Sequence, residues 1–482
     1  MQTALMTVRE WAVAEFDGAD LHDQRRTRRL VEVAAGLARR PQGRLPESFD
    51  TWAELKAAYR LLEESEVTHE AILAPHTARV RQECQAAGDI LFVEDTTELD
   101  FSSHPAAKGL GLIGDGGGRG LFVHSTLAMR IDGWNAQNEP QVTIPGLAAQ
   151  YCWVRPGPKA AAREKRAKRL ARPRESQRWA ASVVEIGPPP SGARYTLMAD
   201  READIFETIQ RCQDHRWDFI VRANQPRALA DQEGSVFEAV AAAPVITRFT
   251  IQLRSRPQRV TRDKHTGKPK RIRKAHQGRT VELEVRTCTV LLRAPWRPGE
   301  LAQPQMVNIA EAKETKAAPG DDPIHWVLLT SWACGTEPEA VRVVKAYSRR
   351  WLIEEYHKAL KTGTGIEDSQ LETAQRIEAL LGILAVTAVR LLNRKLLATT
   401  HPDRAVDRKE LGEEALLILE TTFGGPPKGW TNRDVLRSIS RLGGFIGRRG
   451  DGEPGWITIW RGWERLMTMV HGFNLARERK CG

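Results

Sequence analysis

Three carboxylates and a set of cations in this sequence have the types and spacing to do phosphate chemistry. Asp95 follows the apolar run of DILFVEDTTELDF, and Asp200 follows that of RYTLMADREADIF. Each run has the length and continuous hydrophobicity of a buried strand, which would deliver the acid at its carboxyl end. Glu354 lies far downstream in EAVRVVKAYSRRWLIEEYHKAL, whose pattern predicts one helix from Glu339 to Leu360. At about 100° per residue, the steps from Tyr347 to Arg350, Glu354 and Lys361 all return to within roughly 60° of the start. One stripe thus carries a phenol, a guanidinium, a carboxylate and an ammonium, while Leu352, Ile353, Tyr356 and Leu360 face a core. Glu355, about 100° around, is the decoy. Taken singly, each feature has a plain reading. A strand-end Asp forms turns, Asp200 could simply cap READIFETIQ, and the helix could be a solvated charged face. Taken together, three carboxylates on a sheet edge and a neighbouring helix could hold two divalent ions about 4 Å apart against a phosphate.

The elements that would position them follow in chain order. Residues 1–67 predict three helices, near Val8–Phe16, from about Asp20, and about Asp50–Glu63. Leu30, Val31, Val33, Ala34 and Leu37 supply one apolar face, and Trp52, Leu55, Ala58, Tyr59 and Leu62 another. Arg25, Arg26, Arg28 and Arg29 crowd the second helix; they suit a DNA-reading head or a solvated basic face. Thr68 predicts the N-cap of a fourth helix. Strands follow around Asp95, in LFVHSTLAMRI and from Gln141 to Trp153. A basic arm, Lys159 to Arg174, precedes the Asp200 strand, and DFIVRANQPR carries Arg222. Residues 245–327 turn β-rich: Val281, Leu283 and Val285 alternate with Glu282, Glu284 and Arg286. A second basic stretch, RSRPQRVTRDKHTGKPKRIRKAHQGR, interrupts them. IHWVLLTS, with Trp326, is the strand before the Glu354 helix. The tail reads as helical, with Trp456, Trp460, Trp463, Leu466, Val470 and Phe473 forming an apolar stripe for a core or a partner helix.

Composition narrows the class. The 482 residues allow several domains, and 41% hydrophobic content predicts that most of the chain folds. Net charge is +11 with a pI of about 9.5, which points to an anionic polymer as partner. The six cysteines show no C-x-x-C pair and read as free thiols, not as a zinc site or disulfide frame. The N-terminus lacks a signal-peptide pattern and no run is long enough to span a membrane, so a soluble intracellular protein is expected.

The motif Y-x2-R-x3-E-x6-K, filled by Tyr347, Arg350, Glu354 and Lys361 in YSRRWLIEEYHKALKTG, resembles the signature of bacterial DDE transposases of the insertion-sequence-four family, nearest its transposon-five branch. VEDTTELDF resembles the first-Asp block, ADREADIF the second, and HWVLLTS the strand before the signature helix. RRTRRLVEVAAGLA, AAYRLLEE, RLGGF and WRGWERL resemble its terminal regions. The resemblance implies an α/β fold: an RNase H-like catalytic core with a β-rich insertion, flanked by an N-terminal helical DNA-binding domain and a C-terminal helical dimerisation domain. The expected spans are 1–67, 68–399 with the insertion at about 230–330, and 400–482.

It also implies roles. Asp95, Asp200 and Glu354 would be the catalytic and metal-binding triad, for two Mg2+ ions with Mn2+ able to stand in. Tyr347, Arg350, Lys361 and Arg222 would hold DNA phosphates. Trp326 and Trp351 would receive an extruded base, Arg60 and Glu372 would contact DNA, and Trp463 and Leu466 would meet a second subunit. Gln370 and Arg376 depart from the family pattern, so base contacts do not carry over. The implied activity is cut-and-paste transposition of double-stranded DNA by a homodimer in a synaptic complex on transposon-end inverted repeats and target DNA. The expected setting is bacterial cytoplasm at the nucleoid, with no membrane. Two other readings stand beside it: a silent DNA-binding and dimerising inhibitor or domesticated relative, and a general metal nuclease.

Overall fold

The computed structural model describes residues 7–478, except 42–43, 115–116, 156–174, 254–258, 263–268, 274–277, 297–301, 317–322, 407–410 and 449–450. The basic arm from Lys159 to Arg174 lies outside the described residues, as does most of the basic stretch after Leu253.

Four helices open the chain: α1 (Val8–Phe16), α2 (Gln24–Arg39), α3 (Trp52–Glu63) and α4 (His69–Cys84). Each begins at a side-chain cap, namely Thr7, Asp23, Thr51 and Thr68. Such caps satisfy amide groups that a first turn leaves open. Leu30, Val31, Val33, Ala34 and Leu37 of α2 are buried as expected. Trp52 is not: it is the first residue of α3 and stands 72% exposed, beyond the reach of the packed face.

The centre is a mixed sheet. Its strands are β1 (Gly88–Asp100), β2 (Gly111–Ile113), β3 (Gly118–Trp134), β4 (Pro140–Trp153), β5 (Ala193–Ala199) and β6 (Asp218–Arg222). After these come β7 (Val245–Leu253), β10 (Arg279–Leu292), β11 (Gln305–Glu314) and β12 (His325–Thr330), with a separate two-stranded ribbon of β8 (Arg259–Arg262) and β9 (Pro269–Arg273). The sheet runs β2-β3-β1-β5-β6-β12-β11-β10-β7, with β4 on β3. β4, β3 and β1 pair antiparallel; β1, β5 and β6 pair parallel. This is the arrangement expected of an RNase H-like core. The β-rich insertion does not form a body apart: β12 pairs antiparallel with β6 and extends the same sheet. Val281, Leu283 and Val285 of β10 are buried while their neighbours are not, which explains the alternation in the sequence.

Three short helices, α5 (Ala181–Ile186), α6 (Phe206–Asp214) and α7 (Val236–Ala242), lie between the strands, and after β12 come α8 (Glu337–Ser348), α9 (Trp351–Lys358), a π-turn (Ala359–Gly363) and the long α10 (Ala374–Thr400). The expected single helix from Glu339 to Leu360 is therefore interrupted. Arg349 and Arg350 close i→i−3 bonds, donating to the carbonyls of Ala346 and Tyr347. That tightening separates α8 from α9. The chain ends in α11 (Glu413–Phe423), α12 (Asn432–Leu442) and α13 (Trp456–Glu478).

One apolar core joins α1, α2 and α3 to β1, β3 and α10. Trp11 of α1 lies under the Arg390 guanidinium of α10 at 5.0 Å. Gly382 of α10 is so close to Ile72 of α4 that a Cβ there would stand 3.0 Å from it. A second core fills the opposite face of the sheet, and a third, around Leu416, Leu419, Ile439 and Leu466, holds α11–α13 together. Among the described residues no helix is long and apolar enough to cross a membrane.

Candidate active site

The parallel pairing of β1 with β5 ends at Val93–Met198, and the two aspartates lie just past it. Asp200 directly follows β5 and caps a short 3-10 turn, its Oδ1 accepting from the Glu202 amide at 2.9 Å. Asp95 differs from expectation. It does not end its strand, because β3 continues to pair with β1 as far as Asp100. Glu94, its neighbour in sequence, points to the other face, as alternate strand residues must. There it is fully buried and accepts from Thr126 Oγ1 at 2.9 Å and from Ser182. The pleat thus separates two adjacent acids into a core group and a site group.

Glu354 comes to Asp95 from α9, and Arg350 sits between them. Its guanidinium is 2.6 Å from Glu354 Oε1 and 4.0 Å from Asp95 Oδ2. Burial pushes the Asp95 carboxyl up to about 7, and the charges of Asp200 and Glu354 push the same way, with Arg350 opposing. Like charges in a poorly solvated site disfavour one another's ionisation. Three carboxylate donors gathered in one half-buried site, with Asp95 held toward its neutral form, suit a hard divalent cation, so the donor set fits the metal that the resemblance implies.

The cationic and aromatic residues surround this group. Tyr347 is buried at the end of α8, and burial pushes its phenol up to about 12 against the charges of Arg350 and Arg222. Arg222 closes β6 and donates to the His325 carbonyl at 2.7 Å. Trp326 packs edge-on against Tyr347 with ring centroids 5.4 Å apart. Trp351 opens α9, is 50% exposed, and carries the Lys358 ammonium 4.4 Å over its ring. Lys361, in the π-turn, is 3.6 Å from Glu367.

Other candidates lie elsewhere. Arg60 and Glu372 are exposed, and the backbone carbonyl of Glu372 accepts from the Lys108 amide at 2.7 Å. Arg376 pairs with Glu63 at 2.8 Å. Leu466 is fully buried between α11, α12 and α13, so within this chain it is core and not a free surface. Trp463 donates its indole N–H to the Arg39 carbonyl at 3.2 Å and lies under Arg394.

Two features escaped the sequence. His357 is buried with Nδ1 3.8 Å from Asp95 Oδ2; burial and then Lys361, His124 and Arg350 push its pKa down to about 3, so it stays neutral. Its place three residues after Glu354 in EEYHK was the available signal. Glu355 is not an idle neighbour. Its carboxylate accepts from Lys358 Nζ and Lys395 Nζ, each at 2.6 Å, and from the Trp456 indole at 2.7 Å. It therefore ties α9 to α10 and α13.

With this geometry in view, comparison with known proteins assigns the chain. Residues 8–67 match a family model described as transposase DNA-binding. Residues 171–390 match the transposase DDE domain, a span that includes Asp200 and Glu354 and leaves Asp95 outside. Residues 415–481 match the transposase Tn5 dimerisation domain. Among solved structures, a piggyBac transposase synaptic complex with hairpin DNA aligns at 9% identity over 85% of this chain and 76% of that one. Its TM-score of 0.37 is too low to argue from. Three family models matched in chain order, with a DNA-binding head, a metal-using DNA-cutting and joining centre and a dimerisation segment, show that the chain belongs to the Tn5-like DDE transposases.

Proposed function

We propose that this chain is a cut-and-paste transposase acting on inverted-repeat ends. The observation that carries the reading is the convergence of Asp95 and Glu354 on Arg350, with Asp200 coupled to Asp95 from the neighbouring strand. In this reading Asp95, Asp200 and Glu354 hold two Mg2+ ions, and Mn2+ substitutes. Held by these carboxylates, a divalent metal would supply a lowered pKa for an attacking hydroxyl and stabilisation of the leaving oxygen.

The chain's own groups do the rest. Arg350, Arg222 and Lys361 hold phosphates by charge and hydrogen bonding, and Tyr347 adds a hydroxyl beside them. Trp326 and Trp351 offer faces on which an extruded base stacks, which a tight DNA hairpin requires. Arg60 and Glu372 contact the end DNA further out. Four transfers follow: water nicks one strand, the freed 3′-hydroxyl attacks the opposite strand to form a hairpin, water reopens it, and the 3′-hydroxyl joins target DNA. Each exchanges one P–O bond for another, so no protein nucleophile is needed. Residues 1–67, 68–399 and 400–482 are the proposed head, catalytic and dimerisation units.

The test is Glu354→Gln beside Glu355→Gln on end-containing duplexes with Mg2+. The first should abolish nicking and hairpin formation while sparing end binding; the second should still nick. Equal processing by wild type and Asp95→Ala would show that the chemistry has been placed at the wrong residues.

A further inference from the structure

Away from the catalytic carboxylates, three potential metal donors meet where α4, β4 and α10 pack. A ring nitrogen of His69, the Cys152 sulfur and a carboxylate oxygen of Glu70 all lie within 4.8 Å of one another. Glu378, in the second turn of α10, is coupled by charge to both Glu70 and Cys152.

The histidine is what turns this cluster into a site. His69 is 1% exposed, and its Nε2 is 3.0 Å from Gln150 Oε1. Gln150 donates its amide N–H groups to Ser125 Oγ and Tyr356 Oη, each at 2.9 Å. Its oxygen is therefore the atom facing His69, and an amide oxygen only accepts. Nε2 must carry the proton, which leaves a bare lone pair on Nδ1. That atom is buried and has no hydrogen-bond partner among the described residues. Burial lowers the His69 pKa and keeps the ring neutral. An imidazole fixed by one N–H to a carbonyl with its other nitrogen unprotonated is the posture of a metal ligand.

We propose that His69, Cys152 and Glu70 bind one thiophilic divalent cation of the zinc class, with His69 Nδ1 as the imidazole donor. Zn–S and Zn–N bonds of about 2.3 and 2.0 Å place tetrahedral donors about 3.5 Å apart, a spacing that side-chain adjustment can reach in a group whose ligand atoms lie within 4.8 Å of one another. Sulfur, imidazole and carboxylate together select zinc-like ions over Mg2+. The thiol proton leaves to solvent on binding. Glu70 is exposed and gives the ion its entry. The site would staple α4 to β4, and Gln150 connects it to Tyr356, two residues after Glu354 on the catalytic helix.

The experiment is a Co2+ titration of the full chain, stripped with chelator and then held in excess Mg2+ so that hard carboxylate sites are filled. A near-ultraviolet sulfur-to-cobalt charge-transfer band should grow and saturate at one equivalent. It should vanish in Cys152→Ser and persist in Asp95→Ala. Glu70→Gln, at an exposed position that does not threaten the fold, should weaken Co2+ binding about 10-fold or more, the scale of losing a metal-site interaction. A wild type without the band, a band unchanged in Cys152→Ser, or wild-type affinity in Glu70→Gln overturns the proposal.

Discussion

At the scale of single residues, Asp95 sets the most direct expectation. Its carboxyl is raised from an ordinary 3.8 to about 7, so the folded state holds that proton more tightly than the unfolded chain does. The associated penalty is absent below about pH 4, grows as the group is forced to ionise, and is complete above about pH 7. Metal-free protein should therefore lose stability across that window. Asp95→Asn should remove the loss, raising stability by on the order of 2 kcal/mol at about pH 8 and hardly at all at about pH 4. Chelator-treated wild type and variant, melted at both pH values, decide it; a variant less stable at the higher pH would contradict the assignment. Asp95 was legible in the sequence because it follows a short apolar run and sits in VEDTTELDF, which resembles the family's first-Asp block; alone, the same acid reads equally as a turn former. His357 and the two fates of Glu94 and Asp95 were not, since both depend on which side of the pleat faces which helix.

At the scale of elements, the junction at Glu355 deserves its own test. Three donors from three helices converge on one mostly buried carboxylate, and Lys395 and Lys358 hold its pKa down to about 2 despite burial. Removing the charge takes a carboxylate partner from two ammonium groups at once. Glu355→Gln should cost about 2–4 kcal/mol, less than the ~3–5 kcal/mol of a fully buried pair because Lys358 stays 44% exposed, and slow nicking without abolishing it. Urea denaturation reads the first and a nicking assay the second. Close by, Trp460 lies so near Gly363 that an added Cβ would be 2.6 Å from its ring. Gly363→Ala should displace α13 and expose the C-terminal segment to limited proteolysis; a digestion pattern like that of wild type would show that the contact yields cheaply. Heptad-like spacing revealed α9 and the apolar stripe of α13. It could not show that the signature helix tightens at Arg349 and Arg350, or that Trp456, Trp460 and Leu466 of the stripe are buried inside the chain while Trp463, Val470 and Phe473 stay half-buried. Leu466→Ala should accordingly lower stability by about 2–5 kcal/mol, as core truncations do, in a thermal melt at any protein concentration.

At the scale of the whole molecule, the order of strands was partly legible. Each strand around the aspartates announced itself, but nothing local says that β12 pairs with β6 and carries the insertion into the same sheet. Long-range pairing is decided by packing and leaves no period in the sequence. The same holds for the continuous core that joins α1–α3 to α10. A fragment ending at residue 67 would leave Trp11, Leu30 and Leu62 without part of their cover. It should show no cooperative thermal transition by circular dichroism, where the full chain shows one. A sharp melt of the fragment would show that the head is self-sufficient.

The span of α10 has a consequence for how the protein comes into being. The helix that covers the head is made some three hundred residues after it, and so is the helix that carries Glu354. Contacts so distant along the chain close slowly. On the ribosome the head must wait, its apolar face open, until α10 has emerged. Every nascent chain that stops between Asp200 and α9 bears both aspartates and lacks the third carboxylate. Interrupted synthesis should thus release fragments that call on chaperones and that do not cut DNA.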